Sequence, residues 1–237
     1  MIKFSTDKLL ERTTFSIIFG KVCSGKTTLS IDLLNKIYDK NPLLKVNTTV
    51  LCDSYNFLYK KNKNSIYPMV FIEKFYENLM SKMKEYRKTP DQYTKEILVI
   101  CDPSYDFLQS IILQKLVYNR RKYFLSIIIE ASYLYDAPKD VIKRVDYFFN
   151  LNTFTINNIA KTYLRYNYDY DKYKTLLNDE AFSSLVIDNT RSTDNISWYK
   201  AKNYSHKWYL FVKKKIIIYL KYLPVDVVIF ILFLYID

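Results

Sequence analysis

Eight consecutive residues, Gly20-Lys21-Val22-Cys23-Ser24-Gly25-Lys26-Thr27, fit the pattern G-x-x-x-x-G-K-[ST] without a gap. Each residue type has a task in holding phosphate. Glycines let the backbone turn tightly and approach phosphate oxygens. Successive N–H groups and the start of the following helix make a concave anion nest. Lys26 is placed to reach the β and γ phosphates, and the Thr27 hydroxyl to ligate Mg²⁺. Thr28 extends the predicted ATP-binding set, which runs Gly20, Lys21, Val22, Cys23, Ser24, Gly25, Lys26, Thr27 and Thr28.

The chain holds only 2 glycines in 237 residues, and both are the motif glycines. Average usage would give about seventeen. Abundant Lys, Asn, Ile, Tyr and Phe beside scarce Gly is what an AT-rich coding sequence produces. Glycine survives where backbone geometry requires it, which makes a chance match to the motif improbable.

A second acidic position closes the apolar run Ile97-Leu98-Val99-Ile100-Cys101-Asp102. A carboxylate at the C-terminal end of such a strand is placed to hold the water shell of Mg²⁺. ATP-hydrolysing proteins of this class usually carry a second acid next, and here Pro103 follows. Two assignments stand. Asp102 is the metal carboxylate and the base is elsewhere, or Cys101 replaces the metal carboxylate and Asp102 is the base. A third run, Ile127-Ile128-Ile129-Glu130, ends in Glu130, a candidate γ-phosphate sensor or general base.

The elements that must position these groups follow from hydrophobic spacing. Short apolar runs predict strands at Thr14–Phe19, Val46–Leu51, Ile97–Cys101, Leu125–Ile129 and Tyr147–Leu151. Leu29, Leu33, Leu34 and Ile37 put an apolar face on a helix over Lys26–Tyr38. Phe71, Phe75, Leu79 and Met83 do the same over Val70–Tyr86, with further helices at Asp106–Tyr118 and Pro138–Arg144. Ser184–Asp188 and Ile196–Tyr199 flank a polar turn and predict a terminal hairpin. Lys60–Ser65 reads as an exposed loop. Near-continuous apolar strands alternating with helices predict a mostly parallel α/β sheet covered on both faces.

Composition narrows the function. The chain can bury a full core, with 49% hydrophobic residues, and its net charge of +12 suits a polyanionic partner. One histidine, His206, is too few for a histidine metal site and stands without an obvious triad partner. Cys23, Cys52 and Cys101 lack metal-type spacing, lie in or beside apolar runs, and read as buried free thiols of a reducing compartment. Met1–Phe15 is charged and has no apolar core of a secretory signal. Arg120, Arg121, Arg144 and Arg165 stand out, since an AT-rich sequence disfavours many arginine codons.

The order of these blocks resembles the viral DNA-packaging ATPases of poxviruses and other nucleocytoplasmic large DNA viruses, in the FtsK/HerA-type branch of P-loop ATPases. The resemblance spans roughly residues 12–202. It rests on the P-loop, Ile97–Asp102, Asn119–Ile129, Ser132-Tyr133, Ala137-Pro138, Ile142–Arg144, Phe182–Asp188 and Trp198–Ala201. It implies a RecA-like fold, ATP with Mg²⁺, double-stranded DNA, a homo-oligomeric ring of hexameric form, and packaging or capsid proteins as partners. It implies the host cytoplasm at virus assembly sites, and the virion, as locations. An arginine acting in trans on the neighbour's γ-phosphate is expected, with Arg144 and Arg121 the candidates. The sequence departs from the family at three places: Asp102-Pro103 for an acidic pair, Arg121-Lys122 for Arg-His, and Glu130-Ala131 for a sensor Gln. A catalytically weakened nucleotide-binding scaffold and a small P-loop nucleotide kinase are the competing expectations.

A boundary is predicted near residue 205. Beyond it, Lys213-Lys214-Lys215 precedes Ile216–Leu220, and Lys221, Pro224 and Asp226 interrupt the apolar span before Val227–Ile236. A membrane helix needs about 20 uninterrupted apolar residues. The tail reads as an apolar packing helix, with membrane contact as the alternative.

Overall fold

The structure is a computed structural model that describes residues 2–9, 13–40, 45–53, 65–86, 94–132, 138–151, 183–190 and 196–202. These lie in the first of two units, Met1–Lys202 and Asn203–Asp237. The expectations for Tyr133, Ala137, Arg165, His206 and the tail fall outside the described residues.

Among the described residues nine strands form one sheet: β1 (Ile2–Lys3), β2 (Phe15–Phe19), β3 (Val46–Leu51), β4 (Ser65–Tyr67), β5 (Lys95–Cys101), β6 (Leu125–Ala131), β7 (Tyr147–Asn150), β8 (Ser183–Asp188) and β9 (Ile196–Lys200). Their spatial order is β1-β9-β8-β7-β2-β6-β5-β3-β4. From β7 to β4 every pairing is parallel. The β7–β8 and β8–β9 pairings are antiparallel, and β8–β9 is the predicted hairpin. β1 closes that edge, parallel to β9. The fold is the expected mostly parallel α/β sheet.

Helices cover both faces. On one side α1 (Lys26–Lys40) packs against β2 and β6 through buried Leu29, Leu33 and Leu34. On the other, α2 (Ile72–Tyr86), α3 (Tyr105–Gln109), α4 (Ile111–Asn119) and α5 (Lys139–Ile142) share a core with Phe15, Ile17, Phe19, Ile127 and Ile129. All five residues of β2 are buried, the pattern of a central strand covered on both faces.

The structure refines two expectations. The helix predicted over Asp106–Tyr118 is two helices. Ser110 breaks it, leaving the helical region (ψ 136°) and accepting a hydrogen bond from the Leu113 N–H as the N-cap of α4. Ser65, expected in a loop, belongs to edge strand β4, and residues 60–64 lie outside the described set. Among the described residues no helix is long and apolar enough to cross a membrane.

Two polar ties fix the elements that carry the P-loop. At the start of β2, Asp146 Oδ2 accepts from the Phe15 N–H at 2.8 Å, while Arg120 Nη2 sits 3.2 and 3.0 Å from the two Asp146 oxygens. Arg120 also donates to the Val117 and Arg144 carbonyls. It therefore binds the end of α4 to the entry of β7. On the other face, Asp32 of α1 is fully buried, accepts from Tyr199 Oη at 2.6 Å and pairs with Lys36 at 2.8 Å. Tyr199 lies on β9, so the terminal hairpin anchors the helix that opens at Lys26.

Candidate nucleotide site

The loop between β2 and α1 has the geometry its sequence implies. Gly20 closes β2 by donating to the Ala131 carbonyl at 3.2 Å. A Cβ at Gly20 would stand 2.3 Å from Ser24 Oγ and 3.0 Å from Leu151 Cβ, so a larger residue enters only if both side chains shift. Gly25 has φ 94°, which only glycine adopts without strain. Its carbonyl accepts from the Leu29 N–H at 2.9 Å, the first turn of α1. Both glycines of the chain therefore sit where backbone geometry demands them. Cys23, at φ 62°, is exposed on the loop, and Val22 is exposed beside it.

β6 lies between β2 and β5, so the three candidate strand ends line up across the sheet. The register pairs Phe19 with Ala131 and Cys101 with Glu130. Asp102 follows β5 with φ 44°, a left-handed turn that Asp tolerates better than most residues. Its N–H donates to the Glu130 carbonyl at 2.8 Å. The turn ends β5 at the level where β6 ends.

The side chains then meet in two groups. Lys26, 6% exposed, donates to Ser132 Oγ at 2.8 Å and to the Gly20 and Lys21 carbonyls at 3.1 and 3.2 Å. Its Nζ is 3.4 Å from Asp102 Oδ1. Ser132 Oγ in turn donates to Asp102 Oδ1 at 2.8 Å. The second group is Thr27 and Glu130: Thr27 Oγ1 donates to Glu130 Oε2 at 2.9 Å. Glu130 is 1% exposed, whereas the Asp102 side chain is 56% exposed.

The structure thus brings Lys26, Thr27, Asp102 and Glu130 together and pairs the Thr27 hydroxyl with Glu130 rather than Asp102. Cys101 is buried at the end of β5, in register with Glu130. Ser132 was not singled out as a site residue from sequence. Its signal was its place two residues beyond Glu130, where β6 leaves the sheet. Ser24 Oγ is buried within the loop and has no hydrogen-bond partner. Arg121 and Arg144 stand elsewhere. Both precede strands parallel to β2, at the end of the sheet opposite the P-loop of their own subunit.

Mg²⁺ takes oxygen ligands in octahedral geometry, keeps several waters, and binds through one or two carboxylates plus substrate phosphates. A hydroxyl and a carboxylate 2.9 Å apart at the P-loop helix, Thr27 and Glu130, fit that requirement.

No protein-family model and no curated protein matches the sequence. Solved structures do. The genome packaging NTPase B204 from Sulfolobus turreted icosahedral virus 2, in complex with sulfate, has a TM-score of 0.59 at 14% identity, over 81% of this chain and 98% of that one. Its complex with AMPPCP has a TM-score of 0.57 at 14% identity, over the same shares of both chains. The pCW3 conjugation coupling protein TcpA, in monomer form with ATPγS, has a TM-score of 0.56 at 10% identity, over 81% of this chain and 61% of that one. At such identities the likeness carries the fold, and the fold of this chain is that of a RecA-like P-loop ATPase.

Proposed function

We propose that the chain is an ATP-driven DNA translocase that packages viral genomic DNA, working as a ring of identical subunits. The observation that carries this reading is the placement of β6 between the P-loop strand and the Asp102 strand. That insertion puts Glu130 against Thr27 and Asp102 against Lys26 at one sheet edge. A nucleotide kinase would place the acidic strand directly beside the P-loop strand. The likeness to a viral genome packaging NTPase and the net charge of +12 support DNA as the translocated partner. Within viral packaging enzymes, the block order resembles those of poxviruses and related large DNA viruses.

The residues divide the chemistry between them. Lys26 exchanges its Ser132 and carbonyl contacts for the β and γ phosphates when ATP enters. Thr27 and Glu130 hold the cation side, where Mg²⁺ neutralises charge on the transferred phosphoryl group when bound. Asp102, the more exposed carboxylate, accepts the proton of the attacking water, and Ser132 holds it in place. Because Glu130 supplies a second acid, the Asp102-Pro103 sequence does not leave the site with one carboxylate. That favours an active ATPase over a silent nucleotide-binding scaffold.

The test is ATP turnover of the full chain with and without duplex DNA, beside Lys26→Ala. Turnover should rise with DNA and fall by at least about 100-fold in the variant. Unchanged turnover in Lys26→Ala would remove the phosphate-binding role. Tight ATP binding with no hydrolysis under any condition would favour the scaffold.

A further inference from the structure

A second polar cavity, of about 380 Å³, opens at the end of the sheet opposite the P-loop. Tyr118, Arg120, Arg121, Arg144, Asp146 and Asn189 line it. Among the described lining residues the one carboxylate, Asp146, is already satisfied by Arg120 and the Phe15 N–H. Two polar atoms there are not. Arg120 Nε and Asn189 Oδ1 are buried without a hydrogen-bond partner, in residues only 6% and 7% exposed. Amide inversion does not rescue Asn189, because its Nδ2 donates to the Val145 carbonyl at 3.1 Å. Orphaned buried donors and acceptors cost free energy and call for a missing partner.

The rim adds charge. The exposed Arg144 guanidinium lies over the Tyr118 ring at 4.0 Å, a cation–π contact that holds it at the rim. Arg121, which also lines the cavity, is exposed. Three arginines line this one cavity, two of them exposed, and together they offer more donors than one small anion uses, which suits the phosphates of a nucleic-acid backbone.

We propose that this cavity is a phosphate site for the backbone of duplex DNA, with Arg121 and Arg144 as its charged contacts. Arg120 Nε completes the donor set, and Asn189 Oδ1 accepts from a water bridging to the same phosphate. The assignment deepens the translocase reading and rests on it. It gives the two arginines a task distinct from acting on a neighbour's γ-phosphate.

The experiment is duplex DNA binding by fluorescence anisotropy over a salt series, for wild type, Arg121→Gln and Arg121→Gln/Arg144→Gln. Lys74→Gln/Lys84→Gln on α2 is the charge-matched control. Each lost phosphate contact should lower the slope of log affinity against log salt by about 0.9, and so by about 1.8 in the double variant. Affinity in the double variant should fall by about tenfold. Arg121→Gln removes an exposed side chain and keeps the test sound if Arg144 is needed for folding. Equal losses in the α2 control, or no loss at all, overturn the site and leave the translocase reading standing. Absence of DNA binding by wild type removes both. Two phosphate sources other than DNA are separable. Loss of inorganic phosphate binding with DNA affinity intact means a free ion. Loss of DNA-free ATP turnover with DNA affinity intact means the neighbour's nucleotide. Either result overturns the proposal.

Discussion

At the scale of single residues, the two acids beside the P-loop stand in different surroundings, and the proposed function gives them different work. Glu130 is sealed against Thr27, and Asp102 stands open to water beside Lys26 and Ser132. Glu130→Gln keeps the volume and a hydrogen-bond acceptor but removes the charge at the cation. Its turnover should drop about 10²–10³-fold while an ATP analogue still binds. Ser132→Ala removes one hydroxyl that touches two charged groups. A hydrogen bond to a charged group is worth about 1.5–3 kcal/mol, so a drop of about ten- to a hundredfold is expected. Single-turnover kinetics separate the two substitutions from defects in binding. An effect of Ser132→Ala equal to that of Lys26→Ala would mean that Ser132 builds the loop rather than orienting Asp102.

At the scale of elements, polar ties between strands and helices hold the P-loop in place. Asp146→Asn leaves Arg120 buried without its counter-charge, and urea unfolding should show a loss of about 3–5 kcal/mol. Lys95, at the start of β5, donates to the Leu9 carbonyl at 2.6 Å and pins the turn Thr6–Leu9 to the sheet. Burial lowers its ammonium from 10.5 to about 8. The unfolded chain thus holds a proton that the folded chain releases between about pH 8 and 10.5, so this residue makes stability rise with pH there. Lys95→Met should flatten that rise between pH 8 and 10 relative to wild type in denaturant titrations. Much of this layout was legible in the sequence. β3 was read to its true ends, and the P-loop, Asp102 and Glu130 fell on the expected strand ends. What escaped depended on tertiary neighbours. β1 and β4, two and three residues long, carry too little pattern to show a period. Ser110 breaks a helix whose apolar spacing runs on through it. Ser132 gains its role only because β5 ends beside β6. Arg120 looked like Arg121 in sequence, yet it is buried against Asp146.

At the scale of the whole molecule, one RecA-like domain is too small to enclose duplex DNA, so the proposed motor requires copies arranged around it. A closed ring joins one face of a subunit to a different face of the next. If neighbouring subunits fire in a coupled order, adding Lys26→Ala subunits to wild type should depress DNA-stimulated turnover more steeply than dilution. A strictly linear loss, or full activity from a monomer in sedimentation, would exclude the ring. The strand order has a consequence for how the protein is made. β2 leaves the ribosome early, but both of its partners come from more than a hundred residues later, at Leu125–Ala131 and Tyr147–Asn150. β1 waits longer still, for Ile196–Lys200. Contacts this distant along the chain form slowly, because long loops must close before any pairing is gained. The nascent P-loop therefore stays unbuilt until β6 and β7 have emerged, and truncated translation products ending before β6 should be unable to capture ATP.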